Sequence, residues 1–150
     1  MERKNALSPA IILVGAQLSE NIGTVARAML NFGLTDLRLV SPRPGWQMER
    51  AIKASAGAEA LIEKHLLFET VGEATADLGY LVATTARQRD MVKPVVTPAA
   101  MARAMRTRRS ESHPQSGILF GCERTGLNND DISLADAICS VPLNPDFSSL

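Results

Sequence analysis

A chemical reading of this chain turns first on Arg27. Ile22, Val25, Ala26, Met29 and Leu30 recur at i, i+3, i+4, i+7 and i+8, the apolar face of a helix. At about 100° per residue, Gly23, Arg27 and Asn31 form a stripe beside that face. Helical side chains lean towards the N-terminus, so Arg27 is expected to lean over the gap that Gly23 leaves. A guanidinium in that place suits a phosphate or an anionic intermediate. A surface arginine beside a packing glycine accounts for the same pattern. The loop Gln17-Leu-Ser-Glu20-Asn21 ahead of the helix is placed to meet a phosphate at the helix N-terminus.

A second set of residues lies far along the chain. Ile118-Leu-Phe120 runs into Gly121-x-Glu123-x-x-Gly126, and Ala137 to Val141 runs into Pro142, Asn144-Pro145, Ser148 and Ser149. An apolar run emptying into a loop of Gly, Pro, Asn and Ser reads as a buried strand that delivers a ligand-facing turn. The glycines permit close backbone approach or positive φ. Glu123 is suited either to pair with Arg27 and orient it or to stand exposed in a tight turn.

Other chemistries lack their residues. The segment after the first strand holds only Gly15 and Gly23, which is neither GxGxxG nor GxxxxGK[ST]. His65 and His113 form no metal set and no nucleophile–base arrangement, and Cys122 and Cys139 have no metal spacing. Both cysteines read as small buried residues. Trp46 reads as packing over the sheet or as a stacking surface for a base.

Apolar runs and helical periods supply the elements that must position these groups. Strands are expected at Ile11–Val14, Leu37–Val40, Leu66–Phe68, Tyr80–Ala83, Ile118–Phe120 and Ala137–Val141. The first helix starts with Ser19 or Asn21 as cap and ends at Gly33. Residues 47–64 read as helical with a break near Gly57, Thr70 and Glu73 as a capping box, and Thr97-Pro98 as the start of a helix to about 107. A short helix is expected over 129–134. The loop after the fourth strand, from Thr84 through Pro94, and residues 108–116 read as polar connections. Strand and helix alternate, as in an α/β fold with a parallel sheet and helices on both faces, and ligands there bind beyond the carboxyl ends of the strands.

Length and composition fit this scheme. The chain has 150 residues, 45% hydrophobic and 21% charged, enough for one domain, read as a tail at 1–9 and a domain at 10–150. No run approaches a membrane span or a signal peptide core, so a cytoplasmic location is the expectation. Sixteen basic residues balance 16 acidic ones. The basic residues gather at Arg38, Arg43, Arg50 and Lys53, at Arg87, Arg89 and Lys93, and at Arg103, Arg106, Arg108 and Arg109. These clusters read as solvated surfaces, and local charge of this kind leaves a nucleic-acid partner open.

Three segments carry a family resemblance. Asn21-Ile-Gly23-Thr-Val-Ala26-Arg27-Ala-Met-Leu-Asn-Phe-Gly33 resembles the first motif of the SPOUT RNA methyltransferases, in their SpoU/TrmH-like branch. Ile118-Leu-Phe-Gly121-Cys-Glu123-Arg124-Thr-Gly126-Leu127 resembles the second, and Val141-Pro142-Leu-Asn144-Pro145-Asp-Phe-Ser148-Ser149-Leu150 the start of the third. The turn ending at Ser41-Pro42 and the stretch Ala83-Thr-Thr-Ala86-Arg87 are most similar to TrmJ-type tRNA 2′-O-methyltransferases.

This resemblance implies an α/β fold with a C-terminal trefoil knot and a homodimer with active sites at or near its interface. It implies S-adenosylmethionine as methyl donor, no metal, and a ribose 2′-hydroxyl of tRNA or rRNA as acceptor. By position the cofactor would meet Thr84, Thr85, Ala86, Gly121, Val141, Ser148, Ser149 and Leu150. Arg27 would be the catalytic arginine, with Asn21, Glu123 and Ser149 in support, and Arg27 and Arg89 would face the RNA. The third motif normally continues into a further helix, so the expectation is that this chain is C-terminally truncated and lacks the final helix. The rival expectation is an RNA-binding module that keeps the fold without the activity.

Overall fold

The structure is a computed structural model, and it describes residues 8–85, 92–109 and 114–147. In these residues the chain builds β1 (Ala10–Val14), α1 (Ser19–Asn31), β2 (Leu37–Val40), α2 (Met48–Ala54), α3 (Glu59–Glu63), β3 (Leu66–Phe68) and α4 (Val71–Thr75). It continues with β4 (Tyr80–Thr84), β5 (Val95–Val96), α5 (Pro98–Thr107), β6 (Ser116–Phe120), α6 (Asn129–Ser133) and β7 (Ala137–Cys139). All seven strands run parallel in the order β3-β2-β1-β6-β4-β7-β5. Every carboxyl end therefore lies on one edge of the sheet.

Alternation along the strands sorts the core into two faces. Ile11, Leu13, Leu37, Leu39 and Ile118 meet Ile22, Ala26 and Met29 of α1, Ala51 of α2, and Leu61 and Ile62 of α3. Met101 and Met105 of α5 pack against the same face and against Val82, Ala137 and Cys139. Ala10, Ile12, Val40, Leu81, Ala83, Leu119 and Ile138 meet Val71 and Ala74 of α4 and Ile132 of α6 on the other face. Helices thus cover both sides of a parallel sheet, as the alternating order of elements requires.

Several local signals act as expected. Thr70 and Glu73 form the reciprocal capping box of α4. Thr97 caps α5 ahead of Pro98, and Gly33 takes φ +70° just past α1. The helical stretch after Trp46 breaks into α2 and α3 around Gly57, at φ +104°. Other expectations need correction. Val95–Val96 forms a seventh strand, which two residues are too few to announce. The last strand stops at Cys139, two residues short of Val141. Neither Ser19 nor Asn21 caps α1: Leu18 holds the cap position without a side-chain bond, and the Ser19 hydroxyl accepts Gln47 N–H at 2.8 Å.

Gly23 also has another role than leaving room beneath Arg27. It faces α2, and a Cβ there would collide with the Ala51 carbonyl oxygen and come within 2.9 Å of the Ala54 methyl. The space that Gly23 leaves is filled by the neighbouring helix. Arg38 does not belong to a solvated cluster either. It is 4% exposed and lies on the α4 side of β2. It bonds both carboxylate oxygens of Asp36 and of Asp77, with salt bridges at 2.8 and 2.6 Å, and donates to the Ala74 carbonyl at 2.8 Å. Burial pulls its pKa down, but the hydrogen bonds and charges of the two aspartates outweigh it and hold the guanidinium above its usual range. Arg50 is paired with Glu20 and Lys53 with Glu49, which further disperses that cluster.

Candidate functional site

Strands β6, β4 and β7 are neighbours, and the loops that follow them leave the sheet side by side. Thr84 ends β4 and donates its hydroxyl to the Leu119 carbonyl of β6 at 2.7 Å. Thr85 N–H donates to the Cys139 carbonyl of β7 at 3.2 Å. The two threonines are therefore held between the strand ends that lead to Gly121 on one side and to Val141 on the other. Val141 is partly exposed, as is Phe120 at the end of β6. Asn144 closes a turn by accepting Phe147 N–H on its carbonyl and Asp146 N–H on its side chain, each at 3.0 Å. Ala86, Arg89, Ser148, Ser149 and Leu150 lie outside the described residues.

The loop after β6 is folded hard on itself. A Cβ at Gly121 would strike the Gly126–Leu127 peptide and approach the Gly126 Cα to 2.6 Å, so glycine is needed for the chain's own return. Gly126 takes φ +70°, and its N–H donates to the Cys122 carbonyl at 3.0 Å. The Cys122 sulfur lies 2.8 Å from the Thr125 hydroxyl and accepts Thr125 N–H at 3.4 Å. The Thr125 hydroxyl, helped by the surrounding backbone N–H groups, holds this thiol below the usual range despite partial burial. Cys139, buried in β7 among apolar neighbours, is pushed up instead.

The tight loop presents Glu123 to the segment before α1. Its carboxylate accepts Gln17 N–H at 3.0 and 3.1 Å and Leu18 N–H at 2.8 Å. These donors precede α1, where the helix dipole favours a negative charge. Glu123 thus fastens the β1–α1 loop to the β6 loop. The expected pairing with Arg27 is not made, because the carboxylate is engaged by backbone N–H groups. Arg27 lies eight residues into α1 from Ser19, roughly 12 Å along the axis, on an exposed face. Among the described residues it has no ion-pair or hydrogen-bond partner. Asn21 sits in the first turn, with its carbonyl accepting the Thr24 hydroxyl at 3.0 Å.

Sequence reasoning missed the role of Gln17 and Leu18, because backbone donors leave no side-chain signature. It also missed Arg38, although an arginine between Leu37 and Leu39 in an apolar strand, two residues after Asp36, is a usable sign of a buried pair. Trp46 packs partly buried against the core, edge-on to His65 at 5.4 Å between ring centres. A separate open cavity of about 500 Å³ lies between Ser41–Trp46 and Leu67–Glu69, at the ends of β2 and β3, which β1 and β6 separate from β4. Among the described residues no group of three or more His, Cys, Asp or Glu is arranged to hold a metal, and no helix is long and apolar enough to cross a membrane.

The loops at this edge offer backbone N–H and C=O groups, two threonines and the apolar surface of Val141 and Phe120. Comparison with known proteins identifies the family. The model of the SpoU rRNA Methylase family matches residues 8–150. The tRNA (cytidine/uridine-2′-O-)-methyltransferase TrmJ of Yersinia pestis (strain Pestoides F) is 38% identical over 142 residues, 93% of this chain and 53% of its own length. LasT of Escherichia coli (strain K12), described as an uncharacterized tRNA/rRNA methyltransferase, is 37% identical over 93% of this chain and 60% of its own. The crystal structure of TrmJ from Z. mobilis ZM4 superposes with a TM-score of 0.88 at 52% identity, covering 95% of this chain and 62% of that one. The chain thus spans about half the length of the curated relatives that it matches. By the family model over residues 8–150 and these relatives, this chain belongs to the SpoU methylase family.

Proposed function

We propose that this chain is the methyltransferase domain of an RNA 2′-O-methyltransferase that uses S-adenosylmethionine and acts on tRNA in preference to rRNA. The observation that carries the reading is the Glu123 clasp. It joins the β1–α1 loop to the loop after β6, so that the first two motifs meet beside the ends of β4 and β7. The TrmJ relatives, at 38% and 52% identity, support tRNA as the substrate class.

S-adenosylmethionine, when bound, supplies an already activated methyl group. The chain's own residues do the rest. Thr84, Thr85, Ala86, Gly121, Val141, Ser148, Ser149 and Leu150 hold the cofactor, mainly through backbone groups. Arg27, which among the described residues has no hydrogen-bond or ion-pair partner, holds the phosphate next to the target ribose and stabilises the developing alkoxide. A guanidinium is a poor base, so electrostatic support is the larger share of its work. Asn21 and Ser149 flank the reacting hydroxyl, Glu123 fixes the loop that leads into α1, and Arg89 meets the RNA. Together these residues would orient the acceptor hydroxyl towards the methyl group that the cofactor supplies.

The proposal includes the knot and a cytoplasmic homodimer with sites at its interface. One feature of the sheet supports the knot. Among the described residues β7 is the last strand in sequence, yet it lies between β4 and β5. Lys93, shortly before β5, donates to the Ser133 carbonyl at the end of α6 at 3.0 Å, while α5 packs on the opposite face. Residues 93–107 thus cross from one face of the sheet to the other around the edge next to β7, as a knotted chain requires. The test is to map ribose methyls on tRNA and rRNA from cells with and without the gene. Loss of one or a few 2′-O-methyls from tRNA is expected. An unchanged tRNA and rRNA map contradicts the proposal and favours a binding module without activity.

A further inference from the structure

We infer that the exposed face of α5, through Arg103, Arg106 and Arg109, is a docking surface for the phosphate backbone of the RNA. The inference rests on the RNA-directed reading above and adds a surface outside the three motifs. Between Asp90 and Glu111 the chain carries one lysine and four arginines and no carboxylate, although the whole chain is neutral. Two of these cations are used internally. Lys93 donates to the carbonyls of Ser133 and Ala135, and the Arg108 guanidinium lies 4.3 Å from the centre of the Tyr80 ring. The other three are exposed, and among the described residues their side chains have no hydrogen-bond or ion-pair partner.

Geometry gives the three a common direction. Met101 and Met105 turn α5 towards the sheet, so Arg103 and Arg106, one turn apart, point away from it. Arg109 follows just past the helix end, roughly 9 Å further along the axis than Arg103. Thr97 and Pro98 fix the start of this helix, and the Arg108–Tyr80 contact fixes its end. The row is therefore mounted on a positioned element.

Charge on the rest of the molecule sets the approach. α5 shares its face of the sheet with α1, which bears the exposed Arg27, and with α2 and α3, where Glu20 and Glu49 are paired with Arg50 and Lys53 and Glu59 and Glu63 are outnumbered by the arginines. The opposite face bears α4 and α6, whose only charged residues are Glu73, Asp130 and Asp131. A polyanion is drawn to the α1–α5 face and repelled from the α4–α6 face without any net charge on the chain. Arginines without carboxylate partners suit phosphate oxygens, which they bind in a fork.

The test is tRNA binding by the chain and by a triple variant, Arg103→Ala with Arg106→Ala and Arg109→Ala. Arg108 is kept, and circular dichroism confirms the fold. The triple variant is expected to lose at least tenfold in tRNA affinity at moderate salt. Its slope of log affinity against log salt should be shallower by about 2–3, from about 0.7–0.9 per phosphate contact. Turnover at saturating tRNA should stay within about twofold while KM rises. An unchanged affinity and slope overturn the inference. So does a variant that differs from the parent only towards polyglutamate, which would make the surface one for acidic protein. Salt-dependent tRNA binding that the variant loses, in a chain with no methyl transfer, leaves this surface standing and removes the catalytic reading alone.

Discussion

The Glu123 carboxylate accepts the backbone N–H of Leu18 at 2.8 Å, across 105 positions of sequence. Leu18 is the cap residue of α1 and has no side chain able to cap it. The helix that bears Arg27 is thus started by a carboxylate from the loop after β6. Position of the arginine and shape of the second loop become one property. Glu123→Ala should cost about 1–2 kcal/mol in urea unfolding, the lower part of the range for charged hydrogen bonds because the carboxylate is exposed. Amide exchange at Gln17 and Leu18 should quicken. Glu123→Gln, which keeps one acceptor, should lose less, and equal losses would show that the clasp is not the cause.

Two glycines in helices should respond in opposite directions to the same change. Gly23→Ala places a methyl against the Ala51 carbonyl and must part α1 from α2. It should destabilise by about 1–3 kcal/mol, despite the gain of about 1 kcal/mol in helix propensity. Gly72→Ala in α4 meets nothing nearer than the Thr70 hydroxyl at 3.9 Å. It should stabilise by about 0.5–1 kcal/mol. Chemical denaturation of the two variants checks both signs.

The aspartates around Arg38 link stability to acid. The hydrogen bond from Arg38 is the main reason that Asp77 lies below its ordinary 3.8, and partial burial opposes it. A depressed acid contributes its stability above the unfolded-state value and loses it as pH falls through the folded one. Unfolding free energy should therefore fall as pH drops below about 4, and Asp77→Asn should make that acid limb shallower. An unchanged limb in the variant would assign the acid loss elsewhere.

The two thiols should separate by reactivity. Cys122 is partly exposed and held low by Thr125, whereas Cys139 is buried and pushed up. A disulfide reagent near pH 8 should label one thiol quickly and the second only on unfolding. Cys122→Ser should remove the fast phase, and Thr125→Val should slow it. Fast labelling that survives Cys122→Ser would contradict the assignment.

Much of this architecture can be read before folding is considered, for identifiable reasons. Ile11–Leu13 and Ile118–Leu119 are buried on both faces, and such strands write themselves as continuous apolar runs. Thr70 with Glu73 and Thr97 with Pro98 name their helix starts by local chemistry. Val95–Val96 does not, since two residues become a strand only through β7. Gly23 misleads because helix periodicity gives a residue's angle but not which neighbour will press on it. Glu123 stands out in the sequence, yet its partners do not, since main-chain donors look alike in every sequence. Half of the Arg38 arrangement is legible in Asp36, two residues before it; the other half, Asp77, lies 39 positions away.

The central claim is methyl transfer to ribose with Arg27 as the group that holds the reacting centre. The most direct measurement supplies S-adenosylmethionine with a tritiated methyl and unfractionated tRNA to the chain and to Arg27→Ala, then digests the tRNA to nucleosides. The account predicts label in 2′-O-methylated nucleosides with the parent chain. It predicts at least a hundredfold slower transfer with Arg27→Ala, and cofactor affinity by calorimetry within about threefold of the parent. Label on a base, or an Arg27→Ala chain that methylates ribose at the parent's rate, would contradict it.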